Sequence, residues 1–347
     1  MRRLRVGYSP MSKDLNSPGD RRRVVYWANE RGHELITDLS KKVDVIIVSE
    51  NSNFKKILTI KKKTPIILDL IDGYLAENNI FADYLHSLSR KNISNVLDLP
   101  KLFSTELKNF CIESDAVVCS SFEQSELIKM YNSNIHIILD SHEEIPVLKP
   151  EKYRNNNKIL WEGLPVTIYN INQISSVLEN ISLDTNIDLE FLTDKHYFKY
   201  GNKFIKKETL TLLKKDLKRF SGQIRILPWT VNNLIDASKT SRLAVIPLNL
   251  NLTMNRFKPE NKLLIMWRLG LPCLVAPNTS YLRIAKKLDL DNICYNDSDW
   301  MKKTKRYLFD PEFAFFEACK GQNYVIEQHS KSIILSKWDL LLESVLS

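Results

Sequence analysis

Short, almost wholly apolar runs separated by longer amphipathic stretches constrain this chain more than any other feature. In the first half the runs lie at residues 4–8, 43–48, 65–70, 116–119 and 135–139. Each is too brief for an ordinary helix and too continuous for a strand with one wet face. They read as strands buried on both sides of a parallel sheet. Helical periodicity fills the intervals at 20–31, 53–62, 78–113 and 122–131. The second half repeats the grammar without repeating the sequence. Its strands are expected at 158–161, 188–192, 223–227, 243–247, 272–275 and, briefly, 292–295, with helices near 171–178, 208–220, 231–238, 260–269, 281–288 and 299–307. Strands alternating with helices mean βαβ units and an α/β fold.

A chain of 347 residues is more than one core usually holds. Pro146, Pro150 and the run Asn155, Asn156, Asn157 interrupt the pattern between its halves, as a linker does. The expected organisation is a Rossmann-like domain over 1–145, a linker over 146–157, a second Rossmann-like domain over 158–310 and a helical segment over 311–347. The last segment carries an apolar repeat through Ile333, Leu335, Trp338, Leu341, Leu342 and Val345 and is expected to pack across existing structure.

Fifty Lys and Arg against forty-one Asp and Glu leave a formal charge of +9, which suits an anionic ligand, an anionic membrane surface or nucleic acid. The basic residues are scattered over several helices with few aromatics among them, so nucleic acid is not the expected partner. The five cysteines (111, 119, 273, 294 and 319) never form a CxxC pair and read as buried thiols. No apolar stretch approaches the roughly 20 residues that cross a bilayer. Gly7, Ser9 and Pro10 interrupt any signal-peptide core after the basic start. A soluble, cytoplasmic protein is expected, with peripheral membrane contact open through the lysine-rich faces at 55–63 and 203–219.

In open α/β sheets ligands bind where strands end and helices begin, and three such loops stand out. The first contains Gly19, Asp20 and Arg21, with Arg22 and Arg23 following. Gly19 permits close backbone approach, Asp20 can cap the helix, and the first amides favour an anion. Neither a dinucleotide fingerprint nor a P-loop is present. The second, Asp69 to Gly73, places Asp69 and Asp72 at a strand terminus, where they would orient a hydroxyl or serve as base; the same residues also suit a plain turn. The third runs from Asn255 through Arg256, Phe257, Lys258, Pro259, Glu260, Asn261 and Lys262. With Pro259 at the first helical turn, Arg256, Lys258, Asn261 and Lys262 would surround a helix amino terminus with donors, which makes a diphosphate site. Asp-x-Asp occurs at 289–291 and 297–299, where surface turns explain it, and no metal is expected. His33 and His136 read as structural, while His86 and His142 are placed to reach a cleft.

Several short motifs resemble the GT-B glycosyltransferases of the group 1, GT4-like kind. They are Arg5-Val6-Gly7-Tyr8, Gly19-Asp20-Arg21-Arg22, Arg31-Gly32-His33-Glu34-Leu35, the run 115–121 with Gln124, Trp161-Glu162-Gly163, Trp229, Ile246-Pro247-Leu248, Asn261-Lys262 and Gly270-Leu271-Pro272. The resemblance implies two Rossmann-like domains facing a central cleft, with the nucleotide sugar held mainly by the second. It also implies that Gly19 approaches the donor phosphates and that Glu162 and Gly163 line the same site. Phe257 and Ile265 stand where that family often carries two glutamates, leaving Glu260 as the nearby carboxylate.

The expected function is therefore metal-independent transfer of a sugar from a nucleotide-diphosphate donor to a glycan, lipid-linked or small-molecule acceptor. Gly19, Arg21, Glu162, Gly163, Arg256, Lys258, Glu260, Asn261 and Lys262 would serve the donor. Asp72 and Asp20 would be the catalytic carboxylates, with Asp69, Gly73 and His86 on the acceptor side. The alternatives are a nucleotide-sugar epimerase, a sugar phosphorylase, or a non-catalytic basic binding protein on the same fold.

Overall fold

A computed structural model of the chain describes residues 2–60, 64–76, 102–152, 157–198 and 206–347. Contacts divide it into two compact units, Met1–His142 with Leu252–Pro259 and His329–Ser347, and Glu143–Asn251 with Glu260–Gln328.

The first unit holds a parallel sheet of β1 (Arg5–Ser9), β2 (Glu34–Ile36), β3 (Val45–Ser49), β4 (Ile66–Leu70), β5 (Ala116–Cys119) and β6 (Ile135–Ile137). Its order is β2-β1-β3-β4-β5-β6, so the chain reverses direction across the sheet between β1 and β3. The period of two sorts β3 between two cores. Val45 and Ile47 join Leu4, Val6 and Trp27 on one face, while Ile46 and Val48 join Phe54, Phe103 and Phe110 on the other. Continuous apolar runs were the right signal because both faces are covered.

The end of the chain completes the first of these cores. The helix Lys331–Leu346 inserts Ile334, Leu335, Trp338, Leu341 and Leu342. Trp338 stacks on Trp27 at 5.7 Å between ring centroids, and Asp339 accepts from both Trp27 Nε1 and Arg31. The preceding helix, Pro311–Gln328, belongs to the second unit, where Gly321 lies flat against Trp267 and Gln322 donates to Leu148 O. The tail read as one segment from the sequence thus divides near His329.

The second unit is built on β7 (Lys158–Glu162), β8 (Asp188–Leu192), β11 (Ile224–Leu227), β12 (Ser241–Ile246) and β13 (Cys273–Val275), all parallel in the order β11-β8-β7-β12-β13. Its reversal falls between β7 and β12. The run expected as a strand at 292–295 makes only one bridge, Val275 to Ile293. An antiparallel pair, β9 (His196–Phe198) and β10 (Lys206–Glu208), precedes the helix Thr209–Asp216. Lys206 and Lys207, part of the lysine-rich face expected over 203–219, are paired strand residues ahead of the helix.

One boundary matters for function. The third loop forms a short helix, Thr253–Arg256, and a new helix begins only at Asn261, with Glu260 as its N-cap. Pro259 stands before the helix rather than in its first turn. Proline disfavours helical backbone in the residue before it, Lys258, which separates the two helices. All five cysteines are unpaired, four of them buried. Among the described residues no helix is long and apolar enough to cross a membrane.

Candidate functional site

At the carboxyl end of β7 the chain passes through Trp161, Glu162 and Gly163. Lys262, in the first turn of the helix Asn261–Arg268, reaches back to donate from Nζ to the Glu162 carbonyl at 2.8 Å. The ammonium also lies 5.2 Å from the Trp161 ring centroid, within cation–π range. A β-carbon on Gly163 would sit 2.5 Å from that nitrogen, so glycine is what lets the ammonium occupy this position. Trp229, just beyond β11, donates from Nε1 to Glu162 Oε2 at 3.1 Å and steadies the carboxylate.

Asn261 opens the same helix, and its Oδ1 is buried without a hydrogen bond inside the protein. The N-cap, Glu260, makes no side-chain cap. Its carboxylate is buried and accepts from Arg283 at 3.0 Å, an ion pair that balances the negative charge beside the helix start. A cation, a helix amino terminus and a glycine opening therefore meet at one place, chemistry suited to an anionic ligand.

The other donor residues expected from the sequence belong to the first unit. Arg256 and Lys258 fall in the first unit, Arg256 exposed at the end of its short helix and Lys258 half-buried. Gly19 is also there, but Met11 Sδ and Ile71 Cδ1 already fill the space over it, at 2.2 and 2.3 Å from where a β-carbon would stand. Its role is to admit those side chains rather than a phosphate. Arg21 donates to Asn16 O at 3.3 Å on the surface of the same loop.

The carboxylates of the first unit need correction in physical terms. Asp20 is buried, and its two oxygens accept from Tyr8 Oη, Met11 N, Ser12 N and Ser12 Oγ at 2.6–2.9 Å. It anchors the loop after β1, and with burial it pushes the Tyr8 phenol far above its ordinary pKa. A carboxylate so fully engaged is no acid or base for a substrate. Asp69 is equally occupied. Arg23, with no exposed surface, forks onto it at 2.5 and 3.0 Å and also donates to Asp140, Ser120 Oγ and Ile138 O. The three consecutive arginines hide a core residue, and Asp69 is its counter-charge.

Asp72 is half-buried beside Gly73 in a small pocket bounded by Leu70, Leu75 and Gln124. Gly73 allows Phe257 to close in, with 2.7 Å between its would-be β-carbon and Phe257 Cβ. The Gln124 amide donates to Ile71 O and Phe257 O and so stitches the two segments together. His86 lies outside the described residues. Both Asp-x-Asp runs are engaged locally: Asp291 pairs with Lys303 and Arg306, Asp297 accepts from Ser176, and Asp299 accepts from Tyr295 N.

Sequence reasoning passed over Glu50. It follows β3 directly, is 1% exposed, and accepts from Ile71 N through Oε2 at 3.0 Å, while Oε1 is buried with no hydrogen bond. Burial, with the charge of Asp72 next, raises its pKa to about 8. The signal was available: an acidic residue at the carboxyl end of a buried strand, beside the sheet's reversal point.

No protein-family model and no curated protein matches the sequence. Solved structures do match by shape. A variant of S. aureus TarM in complex with fondaparinux, α-GlcNAc-glycerol and UDP superposes with a TM-score of 0.60 at 12% identity, covering 86% of this chain and 56% of that one. Sucrose-phosphate synthase from Thermosynechococcus elongatus gives 0.60 at 10% identity over 97% of this chain and 80% of its own. The E. coli trehalose-6-phosphate structure bound with UDP-2-fluoro glucose gives 0.57 at 9% identity, over 88% and 74%. The chain spans about half the length of the TarM structures. At these identities the likeness establishes the fold, two Rossmann-like domains as in the GT-B glycosyltransferases.

Proposed function

We propose that the chain is a glycosyltransferase whose second unit holds a nucleotide-diphosphate sugar around Lys262. The observation that carries this reading is the Lys262 ammonium seated against Gly163 at an uncapped helix start. Sugar transfer from such a donor releases a nucleoside diphosphate, and its growing negative charge must be neutralised as the bond to the sugar breaks. Lys262 supplies the charge, the amides of the first helical turn supply oriented dipoles, and Asn261 adds a side-chain amide. No step of this scheme requires a metal. The UDP in the TarM variant and the UDP-2-fluoro glucose in the E. coli structure support a uridine nucleotide as the first ligand to try.

Asp72 remains the candidate for activating the acceptor, because unlike Asp20 and Asp69 it is partly open to solvent. The acceptor belongs to the glycan, lipid-linked or small-molecule classes, and a lipid-linked one would bring the basic surface to a membrane.

Calorimetry of UDP binding to the wild type and to Lys262→Ala tests the assignment. Losing a charged hydrogen-bond donor should weaken binding about 10- to 100-fold. Equal affinity in the two proteins, with the variant folded by circular dichroism, would remove Lys262 from the site.

A further inference from the structure

A second concavity opens in the second unit, at the carboxyl ends of β12 and β13. It is a cavity of about 270 Å³ and shares no lining residue with the Trp161–Lys262 cluster. Pro247, Leu248, Ala276, Cys294 and Trp300 form a buried, largely apolar floor. Exposed Gln173, Asn251, Tyr295 and Asn296 stand around the rim, with Asn249 half-buried between rim and floor.

The lining selects the ligand by what it contains and what it omits. Among the described residues no lysine or arginine lines the cavity, so a phosphate would find no counter-charge among them. The helix Asp297–Phe309 begins at its edge, but Asn296 caps that helix, and Asp297 and Asp299 occupy its first turn. Its positive end is already balanced and does not call for an anion. Asp297 is the single carboxylate in the lining and already accepts from Ser176, which leaves too few ligands for a cation. A purely apolar guest would leave the polar rim without use.

Side-chain amides offer donors and acceptors together, as a ring of neutral hydroxyl groups requires. Such a ring also has C–H faces, and the floor and the Tyr295 ring offer flat apolar surface to meet them. Tyr295 is 64% exposed, a large aromatic left open at the mouth of a polar cavity. The size is at the small end for ligand sites and suits one pyranose ring rather than a whole nucleotide sugar.

We propose that this cavity is a neutral-saccharide site, separate from the donor site, that holds one uncharged sugar ring. The proposal does not depend on the donor reading.

Saturation-transfer NMR with the methyl glycosides of glucose, galactose and N-acetylglucosamine tests it on the full chain, with the corresponding disaccharides as a second arm. A disaccharide binding more tightly than its methyl glycoside would identify the guest as a residue within a glycan, and equal binding would identify it as a free sugar; either supports the site. Tyr295→Ala and Gln173→Ala each alter an exposed side chain and should weaken binding about fivefold, the loss of one stacking or hydrogen-bonding contact. UDP affinity by calorimetry should stay unchanged in both. The proposal is overturned if no neutral sugar gives a signal, if the signal survives both substitutions, or if UDP displaces the sugar. Binding of uridine that Tyr295→Ala abolishes would also overturn it, as a base site. A wild type that fails to bind UDP would count against the donor reading alone and leave the sugar result standing.

Discussion

The two sheets are both parallel with one reversal each, yet their carboxyl edges carry opposite chemistry. In the first unit, buried Asp20 is held by Tyr8, Met11 and Ser12, and buried Arg23 pairs with Asp69 and Asp140. In the second, Lys262 and Asn261 stand half-buried at a helix start, and the carbonyl of Glu162 is what the ammonium touches. The first edge spends its ionisable groups on holding loops in place, while the second keeps a cation where a ligand can meet it. Charge at a strand terminus is therefore weak grounds for a site until its partners are known.

The largest effect should come from breaking the first edge. Arg23→Leu leaves Asp69 buried without its counter-charge and should cost about 3–5 kcal/mol in urea unfolding. A loss under one kcal/mol would mean that the network is not what holds the first unit together. Glu50 sharpens the same contrast through pH. Its folded pKa of about 8 lies above the ordinary carboxylate value, through burial first and then Asp72 and Asp69, which the backbone amide of Ile71 and Arg23 offset in part. Its contribution to stability is present below about pH 4.5 and is lost as pH rises through about 8. Thermal melts of Glu50→Gln should match the wild type near pH 5 and exceed it near pH 8.5. Identical pH profiles would show that Glu50 is not protonated in the fold.

At the second edge, Gly163→Ala puts a methyl group where the ammonium sits. Nucleotide affinity should fall about tenfold, and the melting temperature should fall as well, since the end of the lysine can move aside but the buried Trp161 ring, 2.9 Å from the new methyl group, has little room to. The smallest effect belongs to Trp229→Phe, which removes one hydrogen bond to Glu162 and should cost about 1 kcal/mol or less by denaturation.

Much of this was legible in order of chain separation. The run at 116–119 became β5 residue for residue, because a strand covered on both faces needs a continuous apolar segment, and those at 188–192 and 223–227 became β8 and β11, the second a half-buried edge strand. Gly270, at φ +65° with Leu148 O 2.7 Å from its would-be β-carbon, shows why Gly-Leu-Pro punctuates the second half. The pairing of β9 with β10 was not legible, since Lys206, Lys207 and Glu208 are all exposed and carry no burial pattern. Gly163 and Lys262, drawn from motif and helix start, lie against each other in the structure. Asp20 and Asp69 were misjudged because their partners, Tyr8, Met11, Ser12 and Arg23, lie 8 to 46 positions away.

Local pattern alone determined the α/β class and most of the strands, because period and turn chemistry act between near neighbours. Only the tertiary structure decided which ionisable groups are consumed and which are presented. Desolvation and pairing depend on side chains brought together from distant parts of the chain, and no local window contains them.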